Sequence, residues 1–278
     1  MFYAVNEQKL GDLGQDIIRC GDNLLIAVNG SKLIYVTDLD LKIVASITND
    51  LSPRYFTAGG GKVYVTYYEG YLGEIDPKDW SVRTTDVGPN PEGLAYVDGK
   101  VYVANSGGYV PGYNNTVSVV DAASFKEETT FVVNVNPAKI VAADKYLYIN
   151  SLGNYSDIQP KLQRVSLPGF EVSDIAISGV NGITAGNNGK VYVLSGEYNA
   201  SWQLEGTLSV LDGKSGKVVT TIAEGIATAY SVSASAQYVF VGCSDYTTDG
   251  KVFIYKEDGT LVDTVGSEGL NPIACIAR

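Results

Sequence analysis

The chain of 278 residues contains no histidine. That removes the most frequent general base, the most frequent metal ligand and the usual switch near neutral pH, and it excludes Ser-His-Asp and Cys-His constellations. Cysteine is scarce: Cys20, Cys243 and Cys275 stand far apart and lack the CxxC spacing of a zinc or redox site. They read as small buried apolar thiols, with one disulfide plus a free thiol as the alternative. Positive charge is also scarce. Twenty Lys and Arg face 31 Asp and Glu, giving a formal net charge of −11, and no Lys/Arg run occurs. A surface of that sign repels phosphate backbones, so nucleic acid and anionic membranes are not expected partners. No stretch reaches the ~18 uninterrupted apolar residues of a membrane span. The opening Met1-Phe2-Tyr3-Ala4-Val5 reads as strand-like, without a charged leader or cleavage site, so a signal or lipoprotein segment is expected to be missing from this chain, trimmed before Met1.

What is present is a repeat. An apolar strand recurs six times, about 40 to 46 residues apart, the period expected for propeller blades. The copies are Asn23-Leu24-Leu25-Ile26-Ala27-Val28, Lys62-Val63-Tyr64-Val65, Lys100-Val101-Tyr102-Val103, Tyr146-Leu147-Tyr148-Ile149, Lys190-Val191-Tyr192-Val193 and Tyr238-Val239-Phe240-Val241. Each is followed by a polar loop and a second alternating strand, as in Thr116-Val117-Ser118-Val119-Val120-Asp121, then by tight-turn residues such as Asp212-Gly213-Lys214-Ser215-Gly216 and a third strand. A further short strand precedes each copy, introduced by Asn-Pro at Asn90-Pro91, Asn136-Pro137 and Asn271-Pro272. Four strands per unit with no helical periodicity between them make an all-β propeller of four-stranded antiparallel blades. Single blades cannot bury their own faces, so residues 1–278 are read as one domain. Six units run from about Gln15 to Pro272. The expected count is seven, the last blade incomplete and built from both termini, with Phe2-Tyr3-Ala4-Val5 as its last strand and Ile273 onward as its first. Six blades is the alternative.

Lys100-Val101-Tyr102-Val103-Ala104-Asn105-Ser106, followed by a loop and by Val117-Ser118-Val119-Val120-Asp121 and preceded by Asn-Pro, resembles the YVTN-repeat, YncE-like propellers of bacterial envelope proteins. The blades beginning near Gln15, Asn181 and Ala227 lack the Asn-Pro pair, and several loops carry long inserts. This Tyr-rich, acidic version is most similar to surface-layer-type propellers of gut Bacteroidetes, some of which are lipoproteins that capture cobalamin for a TonB-dependent transporter. The resemblance implies a surface-exposed or periplasmic protein of the cell envelope, with a corrinoid as bound ligand and an outer-membrane transporter as partner; with no histidine and no recognisable catalytic constellation, it is not expected to be an enzyme. A monomer without a cofactor of its own is expected.

In an antiparallel four-stranded blade, the entry to the first strand and the connection between the second and third strands lie at the same end. Those connections are long in four blades, at residues 105–115, 150–161, 195–206 and 242–250, starting from Asn105, Asn150, Ser195 and Gly242. That end gathers Tyr67, Tyr68, Tyr71, Tyr109, Tyr113, Tyr155, Tyr198, Trp202 and Tyr246, with Tyr230 at the start of a first strand. Amphipathic rings of low conformational entropy on protruding loops suit recognition. The alternative is that they pack on one another and stiffen the loops. Arg54, followed by Tyr55, and Glu92 and Lys139 each fall near the start of a first strand, where mixed charge would grip amides or a phosphate group, or else form a mutually satisfied ion network. Together with Asp245, Asn105 and Asn150, these residues make up the candidate ligand-binding set. Asp245-Tyr246-Thr247-Thr248-Asp249-Gly250 and Asn154-Tyr155-Ser156-Asp157 lack the alternate-acid spacing of a calcium loop, so no structural ion is expected. Glu69, Glu74, Glu197, Glu205, Asp157 and Asp245 supply carboxylates near the same end, but no spacing sets two of them at a defined separation, and a hydrolytic enzyme is the weaker reading. A protein-interaction platform shares the aromatic end with the ligand-capture reading.

Overall fold

Each blade is an up-and-down run of four strands, and the computed structural model describes it for residues 2–108, 112–186, 188–200 and 204–276. The first blade holds β1 (Gly14–Cys20), β2 (Asn23–Val28), β3 (Leu33–Asp38) and β4 (Ile43–Thr48). The second holds β5 (Pro53–Gly59), β6 (Lys62–Tyr67), β7 (Tyr71–Ile75) and β8 (Val82–Asp86), and the third β9 (Pro91–Val97), β10 (Lys100–Asn105), β11 (Thr116–Asp121) and β12 (Lys126–Val132). The fourth holds β13 (Pro137–Ala143), β14 (Tyr146–Ser151), β15 (Lys161–Ser166) and β16 (Val172–Ile175). The fifth holds β17 (Val180–Ala185), β18 (Lys190–Tyr198), β19 (Leu204–Asp212) and β20 (Val218–Ala227), and the sixth β21 (Ala229–Ala234), β22 (Val239–Cys243), β23 (Lys251–Tyr255) and β24 (Leu261–Gly266). The strands pair in sequence order into six four-stranded sheets, the blades of a β-propeller. By contacts the chain divides into two compact units, one through Ile140 and one from Val141 onward.

The repeated motif is apolar at successive positions because both of its faces are covered. In the first unit, Leu25, Ala27, Ile34 and Val36 pack against Val63, Val65, Tyr67 and Ile75 of the next blade, whereas Tyr64 turns the other way, onto Leu94, Val101, Val103 and Phe125. The second unit repeats the arrangement. Val191 and Val193 meet Tyr148 and Leu162 of the blade before, and Tyr192 and Leu194 meet Val239 and Val241 of the blade after. The core therefore lies between consecutive blades, and each fully buried Val or Leu contributes about 1.5–3 kcal/mol.

The motif's tyrosine also carries a polar tip that reaches the neighbouring blade. Tyr148 Oη donates to the Gly213 carbonyl at 2.9 Å, in the turn between β19 and β20. Asn188 donates to Tyr192 Oη at 3.2 Å and to Glu257 in the turn between β23 and β24. Tyr64 stacks on Tyr96 with centroids 5.9 Å apart and lies 6.4 Å from Phe125, in the turn before β12. Val faces backward and Tyr forward, so the pair fastens the second blade to the first and third, and the fifth to the fourth and sixth.

Two expectations for the ends are corrected. Residues Phe2–Asn6 form a short helix, α1, not a strand. Phe2 packs on Tyr35 at 5.3 Å, Asn6 Nδ2 donates to the Leu41 carbonyl at 2.7 Å, and Asn6 Oδ1 accepts from the Ile43 amide at 3.0 Å. Tertiary bonds at the outer edge of β4 decide the conformation of a segment too short to have one of its own. At the other end, Asn271-Pro272 docks on the sixth blade: Ser244 Oγ donates to Asn271 Oδ1 at 2.5 Å, Ser231 Oγ donates to the Pro272 carbonyl, and the Cys275 amide donates to Ser233 Oγ at 3.1 Å. Residues 273–276 thus lie along β21, but they join no sheet. Without a terminal strand from either end, the described residues contain no seventh blade, and six is the count. All three cysteines are free thiols. Burial pushes Cys243 and Cys275 up to about 11, which keeps both protonated at neutral pH.

Candidate functional site

The inner strands of five blades break their ladders with β2, β6, β10, β18 and β22 near the same place, the start of the strand. The register slips between Gly14 and Asp16 in β1, between Pro53 and Phe56 in β5, opposite Val103 to Asn105 in β9, between Val180 and Gly182 in β17 and between Ala229 and Ser231 in β21. Such bulges leave residues outside the ladder and re-aim their side chains. The released residues are Gln15, Arg54 and Tyr55, Glu92 and Gly93, Asn181 and Tyr230. Four of them, Arg54, Tyr55, Glu92 and Tyr230, belong to the set expected from sequence.

In the first unit these side chains converge. Arg54 and Glu92 form a forked pair: Arg54 Nη2 lies 2.7 and 2.5 Å from the two Glu92 oxygens, and Nε donates to Oε2 at 3.1 Å. Arg54 Nη1 donates to Gln15 Oε1 at 3.4 Å, and the guanidinium carbon stands 5.6 Å from the ring centroids of both Tyr55 and Tyr68. Lys139, on β13, places its Nζ 3.5 Å from the Tyr55 centroid. Asp16, beside Gln15 on β1, accepts from the Phe56 amide at 2.8 Å. Thr66 ties the frame together, receiving the Tyr55 amide at 3.2 Å and donating to the Glu92 carbonyl at 2.8 Å. Gly93 permits the approach of β9 to β13, since a Cβ there would lie 2.9 Å from the Ala138 carbonyl oxygen and the Ile140 nitrogen.

Burial sets the electrostatics. Glu92 is 9% exposed, and desolvation lifts its carboxyl above the ordinary range, against the pull of Arg54 and Lys139. Asp16 is raised for the same reason, with Lys139 and the amides of Phe56 and Ile17 pulling it back. Two positive and two potentially negative groups with two aromatic faces form one connected cluster, suited to binding polar groups by charge-assisted hydrogen bonds. Gln15 and Asp16 were missed in sequence because their blade lacks the Asn-Pro pair that marks a strand start. Their position at the start of an inner strand, like that of Arg54 and Glu92, is the usable signal.

The remaining expected residues fall into three groups. Tyr230 and Tyr246 come together edge to face at 5.7 Å on the sixth blade. Tyr155, Tyr198 and Tyr246 are exposed at 64, 67 and 65%, whereas Tyr113 and Tyr68 are half-buried. Tyr67 is corrected: it is fully buried at the end of β6, its ring filling the space over Gly73, where a Cβ would lie 2.6 Å from it. It continues the face of Val63 and Val65, and burial pushes its hydroxyl up to about 12. Asn105 and Asn150 are buried as well. Asn105 Nδ2 donates to Thr116 and Ser118, and Asn150 Nδ2 donates to the Val180 carbonyl at 3.3 Å. Tyr109 and Trp202 lie outside the described residues.

The acidic candidates serve mainly their own loops. Glu69 accepts from the amide and hydroxyl of Ser52 at 2.9 and 2.8 Å, and Asp157 accepts from Asn154 at 2.8 Å. Asp245 accepts from the amides of Thr247 and Thr248 and from the Thr248 hydroxyl, which hold it far below the usual carboxylate range. Glu74 is corrected in place: it lies near the end of β7 away from the long loops, in a forked pair with Arg83 at 2.9 and 3.0 Å. Glu197 and Glu205 face each other in the register of β18 and β19 and help line a cleft of about 510 Å³ with Ala176, Ser178, Tyr198 and Asn199. Asn199 donates to Glu205 at 2.8 Å.

No helix among the described residues is long and apolar enough to cross a membrane. No protein-family model matches the chain, and no curated protein matches it. Among solved structures the chain is similar to Kuenenia stuttgartiensis hydrazine synthase, with a TM-score of 0.70 over 86% of this chain and 74% of that one, at 15% sequence identity. At that identity the likeness speaks for the fold alone, and the fold is a β-propeller.

Proposed function

We propose that the chain is a non-catalytic binding protein of the cell envelope that captures a small-molecule ligand at the long-loop ends of its blades. The observation that carries this reading is the repeated inner-strand bulge, which releases Arg54, Tyr55 and Glu92 into one charged cluster of the first unit and Tyr230 against the exposed Tyr246 in the second. The absence of histidine, the engagement of Glu69 by Ser52 of the preceding connection, and that of Asp157 and Asp245 in their own loops support binding over turnover. The YVTN-like repeat suggests a corrinoid, handed on to an outer-membrane transporter. Cobalamin is therefore the ligand to test: it should raise the melting temperature of the purified protein and co-elute with it, and Tyr55→Ala should weaken both effects. Absence of any shift with cobalamin or its precursors would remove the corrinoid. A lactone panel turned over by the protein and lost in Glu197→Gln would favour an enzyme instead. A protein-interaction platform is the second reading, favoured by the high exposure of Tyr155, Tyr198 and Tyr246, and co-purification with a membrane complex would distinguish it.

A further inference from the structure

The charged cluster of the first unit is not evenly matched. Arg54 is engaged on every side by Glu92, Gln15 and two aromatic faces. Among the described residues Lys139 is touched by the Tyr55 ring alone. Among the described residues no carboxylate oxygen comes within 4.0 Å of its ammonium, although Asp16 and Glu92 both act on it through space. An ammonium has three donors, and a ring face engages one side of it.

We propose that Lys139 is an oxyanion receptor, taking a phosphate or carboxylate group of the ligand with the Tyr55 face as its floor and Arg54 as a second positive charge. The assignment rests on the binding reading above and specifies the ligand's chemistry. Lys139 is held for this role by the backbone rather than by an ion pair. Gly93 lets β13 approach β9, and the Arg54–Glu92 fork fixes β5 to β9, so the ammonium stands over a ring whose own strand is pinned. The charged groups of the cluster are Asp16 on β1, Arg54 on β5, Glu92 on β9 and Lys139 on β13; Gln15, Thr66, Tyr55 and Tyr68 are its neutral remainder. With both carboxyls ionised the four charges cancel. As pH falls through the raised values of Asp16 and Glu92, the cluster gains net positive charge, which favours an anion that stays ionised there.

The test is a titration of ¹⁵N-labelled protein with inorganic phosphate at constant ionic strength, followed at the amides of Tyr55, Phe56 and Lys139, with acetate as a parallel arm. Saturable shifts at these amides are expected, and the arm that saturates identifies the phosphate or the carboxylate as the source. Lys139→Met should weaken binding about tenfold or more, as for a lost charged hydrogen bond, and Lys139→Arg should retain most of it. Gly93→Ala, which displaces β13 with Lys139 intact, should weaken it as well, and an unchanged melting temperature separates these effects from unfolding. No saturable shift with either anion, or a shift indifferent to Lys139→Met, overturns the assignment. Cobalamin capture without anion binding would remove the oxyanion receptor and leave the binding reading standing, whereas phosphate binding without cobalamin capture would keep the receptor and remove the corrinoid.

Discussion

Tyr148 condenses the logic of the repeat into one side chain. Its ring is fully buried, and its hydroxyl supplies the donor for a carbonyl in the turn of the next blade. Tyr148→Phe keeps the ring and leaves the Gly213 carbonyl without that donor, so urea denaturation should show a loss of about 1–3 kcal/mol. Tyr67 shows the same parity from the other side. It follows Val63 and Val65 at every second position and shares their buried face. The alternation needed to place it was legible in Val63-Tyr64-Val65-Thr66-Tyr67, but a tyrosine at a strand end next to Tyr68 reads equally well as a loop ring. Loop acids such as Asp245 and Asp157 illustrate the opposite case. Their short side chains find amides and an amide side chain within four residues, so local geometry occupies them before any ligand can.

At the scale of elements, the outer strand of each blade presents an unpaired edge, and the chain protects these edges by different means. Strand β12 carries Lys126, Glu127 and Glu128, and in β24 Asp263 takes the Thr264 amide at 2.7 Å. Strand β4, Ile-Val-Ala-Ser-Ile-Thr, has no charge of its own and is covered at its start by α1. Asn6→Ala removes the cover's bonds to Leu41 and Ile43. Hydrogen exchange at the Ile43 amide should then quicken by about tenfold, with more self-association at high protein concentration. Nothing in Phe2-Tyr3-Ala4-Val5 announces this helix. Its β-branched and aromatic residues suit a strand, and only contacts with residues some 35 positions away select the helix.

At the scale of the molecule, the carboxylates divide into two populations with opposite effects on stability. Those lowered by hydrogen bonds and lysines, among them Asp76, Asp121, Asp174 and Asp212, stabilise the fold above their unfolded value of 3.8, and that contribution is lost as pH falls through their folded values. Asp121, held by Ser124 and Lys100, is lowered to about 2. Asp16 and Glu92 are raised and act oppositely, costing stability when ionised and relieving that cost on acidification. The lowered group is the larger, so stability in urea should decline from pH 3.8 toward about 2, and Asp121→Asn should flatten that decline. The architecture behind this was largely legible, since the period of the Val-Tyr strand and the turn residues after it set the number of strands per blade. The number of blades was less so, because it depended on two short termini whose conformation is chosen by neighbours. The charged cluster was legible in its three Asn-Pro or Ser-Pro blades and not in the first, where Gln15 and Asp16 follow no marker.

The slipped register at the head of the inner strands separates two jobs that proteins often mix. Residues released from the ladder carry no share of the strand's backbone pairing, so those that also hold no neighbouring strand, such as Tyr230, can be exchanged with the frame intact while rewriting what the surface accepts. A scaffold of this kind can change its diet one blade at a time.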